Sequence, residues 1–255
     1  MIEESIKTGG AKGKEAMIRS SRPILNIHEA VKSELVRAGI AEKLLFPPLN
    51  SRVPELKLAG SRKQKNQDVC VVTSLEKAAE ILREGLLDDV VDEYGEIFTE
   101  RTISINVRSQ ISSIQKNFDT LYERITSEAI NLHDRCPKMC LGEVYMIAVP
   151  EYDDKEIQCN QVAFKKMSQA LVLKYIKSLQ AINNRRGTEK NFYQYEKVCL
   201  LIVDFSKHPT KIYHSSEELK EDGLIPQDST VSFEQLSWQN FVPQLLKIYA
   251  ERFGK

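Results

Sequence analysis

Thr102-Ile103-Ser104-Ile105-Asn106-Val107-Arg108 alternates polar and apolar side chains without a break. In a strand successive side chains point to opposite faces. Ile103, Ile105 and Val107 therefore share one face, and Ser104, Asn106 and Arg108 share the other. Gln110 continues the polar face. Four polar residues on a strand otherwise built of isoleucine and valine have two readings. They meet solvent, or, where helices cover both sides of the sheet, they line a site.

The surroundings of this strand set the fold class. Downstream, residues 113–133 carry Ile114, Phe118, Leu121, Ile125, Ala129 and Leu132 at helical spacing, an apolar stripe about three to four residues in period. A strand over Gly142–Val149, a helix over 160–182 and a strand over Val198–Asp204 follow, with Lys211–His214 as a further short strand and a last helix over Trp238–Arg252. Upstream, Asp68-Val69-Cys70-Val71-Val72 is a short run rich in β-branched residues and reads as a strand. Ser74 is positioned to cap a helix from Leu75 to Leu87, with Ala78, Ile81 and Leu82 at helical spacing. Asn26 is positioned to cap a first helix over 27–45, which Phe46-Pro47-Pro48 ends. Residues 1–22 are rich in glycine and charge and are expected to be loosely ordered, leaving 23–255 as a single domain. Strands alternating with helices give an α/β fold, a central mixed β-sheet flanked by helices.

Bulk properties narrow the function classes. The 255 residues suffice for one large domain, and 42% apolar with 28% charged residues is ordinary for a globular protein. No apolar run is long enough to span a bilayer, and the N-terminal stretch has no apolar core of a secretory signal. Cys70, Cys136, Cys140, Cys159 and Cys199 are odd in number and scattered, which points to reduced thiols and a cytoplasmic setting. Cys136 and Cys140 form the one close pair, without a partner pair at zinc spacing, and read as structural. The formal net charge is zero, which weighs against nucleic acid as a partner, yet binding follows local charge. Basic residues do cluster, at Arg62-Lys63-Gln64-Lys65 and at Arg185-Arg186. Glycine-rich phosphate loops are absent, and the four histidines share no metal or triad spacing.

Two carboxylates stand out. Asp68 sits where a polar stretch enters an apolar strand, a place suited to holding a divalent ion and equally to a simple strand start. Glu128 falls inside the apolar stripe of the 113–133 helix, between Leu121, Ile125 and Leu132. A carboxylate there is costly unless paired or bound to metal. An ion pair with Arg124 or Arg108 is the structural alternative.

Lys63-Gln64-Lys65-Asn66-Gln67-Asp68-Val69-Cys70-Val71-Val72 resembles the stretch of type II restriction endonucleases of the PD-(D/E)xK superfamily in which the first catalytic aspartate opens a strand. Ile105-Asn106-Val107-Arg108-Ser109-Gln110, the helix from Lys116 to His133 and the strand Gly142-Glu143-Val144-Tyr145-Met146-Ile147 resemble the remainder of that motif series. The resemblance covers about residues 60–150, with a looser likeness over Tyr195–Asp204. It implies a restriction-endonuclease-like core and Mg²⁺-assisted phosphodiester hydrolysis on double-stranded DNA. It also implies a homodimer matching a two-fold target and a cognate DNA methyltransferase in the same system. Residue by residue, Asp68 matches the first acid. Asn106 and Arg108 fall on the acid and lysine of the strand motif, a departure, because an amide is neutral and a guanidinium cannot act as a base. The resemblance therefore assigns the metal to Asp68 and Glu128, the second acid coming from the following helix. Arg108, Gln110 and Lys116 are assigned to the phosphate. Arg62, Lys63 and Lys65 are expected at the DNA backbone, and Asn117 and Arg124 at the bases. Two other functions remain open: a catalytically silent nuclease-fold DNA-binding or partner subunit, favoured by the Asn106/Arg108 departure, and an α/β protein-interaction module without nucleic acid, favoured by the neutral net charge.

Overall fold

The computed structural model describes residues 1–83 and 85–254. Two helices open the chain, α1 (Ile2–Arg19) and α2 (Arg22–Arg37). Strand β1 (Leu45–Phe46), a hairpin of β2 (Lys57–Ala59) and β3 (Gln64–Asn66), and strand β4 (Val69–Val71) follow. A second hairpin, β5 (Glu80–Ile81) with β6 (Val91–Asp92), and the short α3 (Glu96–Glu100) lead to β7 (Ile103–Gln110). From there helices and strands alternate: α4 (Ile114–His133), β8 (Cys140–Ala148), α5 (Asp154–Gln158), α6 (Gln169–Ala181) and β9 (Lys197–Asp204). The chain closes with β10 (Lys211–Ile212), α7 (Ser216–Glu221) and α8 (Trp238–Phe253).

Six strands pair in the order β1-β4-β7-β8-β9-β10. The first three are antiparallel neighbours, β7, β8 and β9 are parallel, and β10 returns antiparallel on β9. The fold is thus α/β, a mixed sheet flanked by helices. β8 and β9 are buried at every position, as central parallel strands are, and their sequences are correspondingly near-continuous apolar runs.

Side-chain alternation builds a core on each face. Ile103, Ile105 and Val107 pack toward Val31 and Leu35 of α2 and Phe241 and Leu245 of α8. On the other face Tyr145, Ile147 and Leu200 meet Phe118, Ile125 and Ala129 of α4 and Val172 and Ile176 of α6. Burying each such aliphatic side chain contributes roughly 1.5–3 kcal/mol. α8 comes so close to β8 that a Cβ at Gly142 would lie 2.8 Å from the Phe241 ring and 3.1 Å from Ile105 and Leu245. The polar face of β7 is covered by α4 and α6: Ser104, Asn106 and Gln110 are buried, so this face does not meet solvent.

Several boundaries differ from the sequence reading. Residues 2–19, expected to be loosely ordered, form α1, whose Ile2 and Ile6 are buried. The first core helix spans Arg22–Arg37 rather than 27–45, with Pro23 in its first turn. It ends where Gly39 takes a left-handed φ of 98° and Ile40 N–H turns back to Leu35 O. The expected helix 75–87 is the β5–β6 hairpin; its three spaced apolar residues had no face to pack on, and Gly85 and Asp89 adopt left-handed turn conformations. The helix expected over 160–182 begins only at Gln169, where the Ser168 side chain accepts the Leu171 N–H. Among the described residues no helix is long and apolar enough to cross a membrane.

Candidate active site

β4 is shorter than β7, and the site forms where their pairing stops. The ladder between them covers only Val69–Val71 against Ile103–Ile105. Asp68, the residue before β4, continues the pairing with its side chain: its Oδ2 accepts the Val107 N–H at 2.8 Å. Beyond that point β7 is paired on one side alone, with β8, and its free edge opens into a cavity of about 290 Å³. Asp68, Arg108, Ser109, Arg124, Glu128 and Lys65 are among its lining residues.

Three elements distant in sequence meet around Arg108. Its guanidinium donates to the carboxylate of Glu143 on β8 and to that of Glu128 on α4. Lys65, from β3, reaches Glu128 Oε1 at 2.6 Å. Burial alone pushes the Glu128 carboxyl up, but Arg108 and Lys65 outweigh it and hold the group below its usual range. Glu143 is fully buried; burial pushes it up to about 7 against the pull of Arg108. Burial lowers the Arg108 pKa and its acidic neighbours raise it further, so this guanidinium keeps its proton. The His28 imidazole, nearby on α2, is held below its usual range by burial, with Asp68 opposing.

The residues singled out in the sequence divide clearly. Asp68, Arg108, Glu128, Lys65 and Arg124 share the cavity. Gln110 does not line it: the amide is buried, its Oε1 accepting from Tyr145 and Tyr175 and its Nε2 donating to Ser113 O at 2.9 Å. Lys116 and Asn117 are exposed at the start of α4 and also lie outside the lining. Arg62 and Lys63 are exposed in the turn of the β2–β3 hairpin. Glu128 takes Arg108 as one partner, as the structural alternative anticipated, but Lys65 rather than Arg124 as the other. Glu143 was missed, although a lone carboxylate inside Gly142–Ile147 is the same kind of signal as Glu128 in its stripe.

No family model, no curated protein and no solved structure matches the chain. The chemistry of the site therefore rests on its own geometry. Asp68, Glu128, Glu143 and the buried, unpartnered Oδ1 of Asn106 are hard oxygen donors, the class magnesium takes. Their arrangement does not fit a bound cation: the Arg108 guanidinium bridges Glu128 and Glu143, and among the described residues no three acidic, imidazole or thiol groups converge as a ligand set. Three cations and two carboxylates line the cavity, with Glu143 against Arg108, so the charge there is mixed rather than uniformly basic. A larger groove of about 500 Å³ lies on the opposite face of the sheet. Its walls are mostly apolar, with Ile2, Met146, Leu201 and Val203 among them, and it lacks this chemistry.

Proposed function

We propose that this chain is an endonuclease acting on double-stranded DNA, of the type II restriction kind that its sequence resembles. The observation that carries the reading is the convergence of Asp68, Arg108, Glu128 and Lys65, from four separate elements, on one open cavity at a sheet edge. Phosphodiester hydrolysis needs carboxylates beside cationic groups that can take up charge on the phosphate. Arg108 cannot serve as a base, but it can hold phosphate oxygens in a fork. Lys65 supplies from the neighbouring hairpin the ammonium that the Asn106-Val107-Arg108 segment lacks.

Mg²⁺ is the cofactor under this proposal, with Asp68 and Glu128 as its ligands, and such binding requires Glu128 to leave its ion pair with Arg108. The metal, when bound, supplies charge neutralisation and an activated water. Arg62, Lys63 and Arg124 are exposed basic groups near enough in sequence and fold to serve the DNA backbone. A homodimer, a cytoplasmic setting and a cognate methyltransferase belong to the same proposal.

The bridging of Glu128 and Glu143 by Arg108 favours a second reading, a nuclease fold that binds DNA without cutting it. Incubating the purified protein with unmethylated phage DNA, with and without Mg²⁺ and beside Asp68→Ala, separates the two. Discrete fragments that need both Mg²⁺ and Asp68 support the endonuclease. A gel shift without cleavage under any divalent cation supports the silent subunit, and neither cleavage nor shift rejects both.

A further inference from the structure

Lys65 belongs to a hairpin that is held to α4 by one side chain. Asn131 is buried in α4, one turn beyond Glu128. Its Oδ1 accepts the backbone N–H groups of Arg62 at 2.9 Å and Lys63 at 3.0 Å. Its Nδ2 donates to Lys63 O at 3.1 Å, and its own carbonyl accepts Ser61 N–H at 2.8 Å. Within the turn, Gly60 N–H donates to Lys63 O at 3.0 Å. The approach is closed to any side chain at residue 60, since a Cβ on Gly60 would lie 2.2 Å from both the Asn131 carbonyl and its amide nitrogen.

The geometry assigns to Asn131 the role of a positioning residue that locks the basic turn Ser61–Lys63 to α4 and thereby sets Arg62, Lys63 and Lys65 at a fixed distance from the carboxylates of the cavity. A four-residue turn between strands of three residues has few contacts of its own. Two of its backbone donors and one acceptor are satisfied by this single amide, which uses both its oxygen and its nitrogen. The exposed side chains of Arg62 and Lys63 make none of these bonds and point their charge outward, free for phosphate oxygens. Lys65, two residues on, is anchored to Glu128 on the same helix. The turn and the acid are therefore referenced to one rigid element, α4, as register on a DNA backbone demands. The part of this inference that concerns DNA rests on the function proposed above.

The test compares the native chain, Asn131→Ala and the surface double variant Arg62→Ser/Lys63→Ser in two measurements. Hydrogen exchange reads the amides of residues 61–63, and binding of a fluorescein-labelled DNA duplex is followed in EDTA over a salt series. Asn131→Ala is expected to lose protection at 61–63, with α4 and the sheet still protected. It should bind the duplex about tenfold more weakly, with the slope of log K against log salt reduced by about one to two. The double variant, which keeps Asn131, should reproduce the binding loss with native protection, and it carries the DNA arm if Asn131→Ala does not fold. Native protection in Asn131→Ala overturns the clamp. Lost protection with native affinity and slope overturns the phosphate role of the turn, as does native binding by the double variant. A native chain that does not bind the duplex overturns the proposed function instead, while the exchange data still decide the clamp.

Discussion

Arg108 pairs with Glu143 across two parallel strands, where the carboxylate has no exposure to solvent at all. A buried carboxyl at about 7, against an ordinary glutamate near 4.3, binds its proton more tightly in the folded chain than in the unfolded one. Stability contributed by the protonated form is then complete below about pH 4 and is lost as pH rises through 7. Relative to Glu143→Gln, which cannot titrate, the native chain should lose on the order of 3 kcal/mol of stability between those limits. Urea denaturation of both proteins at a series of pH values measures this, and parallel pH profiles would count against it.

The same pair makes a sharper forecast for substitution. Arg108→Met leaves Glu143 buried without its cation, and breaking a buried pair from one side costs about 3–5 kcal/mol. Adding Glu143→Gln removes the orphaned charge, so the double variant should be more stable than Arg108→Met alone. A double variant whose cost equals the sum of the two single costs would show that the groups do not depend on each other.

Legibility in the sequence followed the range of the interaction. β7, α4, β8 and β9 announce themselves because their periodicity is local and each has a face to bury. The β5–β6 hairpin failed because three apolar residues at helical spacing look the same whether or not a core lies opposite them. α1 failed because its buried residues, Ile2 and Ile6, are scattered among glycines and lysines that resemble a tail. At the site, Asp68 and Glu128 were readable as carboxylates in apolar company. Their partners were not: Lys65 lies 63 residues from Glu128, and Glu143 lies 35 from Arg108. Those distances are closed only by strand register, which no local pattern states. Asn131, which clamps a turn 68 residues away, is invisible for the same reason.

Gln110 shows how a residue on the expected face can serve a different purpose. Its Oε1 accepts from Tyr145 at 2.8 Å and from Tyr175 at 2.6 Å, tying β8 and α6 to the end of β7. Tyr175 has a second acceptor in Ile114 O at 3.0 Å, whereas Gln110 is the one recorded for Tyr145. Gln110→Ala should therefore strand the Tyr145 hydroxyl and cost about 1–3 kcal/mol. Combining it with Tyr145→Phe should recover part of that loss. Chemical denaturation of the three variants checks the ordering, and a double variant weaker than Gln110→Ala would contradict it.

A second buried acid behaves in the opposite sense to Glu143. Glu196 is fully buried and accepts from Leu141 N–H at 2.7 Å, Arg252 Nη2 at 2.7 Å and Arg185 Nη1 at 3.0 Å, with His133 Nε2 at 3.3 Å. Burial pushes its pKa up, but His133, Arg252 and the Leu141 N–H outweigh it and bring the group to about 2. The network joins the end of α4, the start of β8, the 183–196 loop and the last turn of α8, all of which converge on this one carboxylate. A folded pKa below the unfolded value contributes stability that is present above about pH 4 and lost as pH falls toward 2. Glu196→Ala leaves Arg185 buried beside no carboxylate and should cost about 3–5 kcal/mol at pH 7. That cost should shrink steadily below pH 4, because the native chain then pays to protonate Glu196 while the variant has nothing to protonate. Denaturant midpoints at pH 7 and near pH 2.5 measure the difference, and an equal gap at both would mean that the carboxylate is held by packing rather than by its three cationic neighbours.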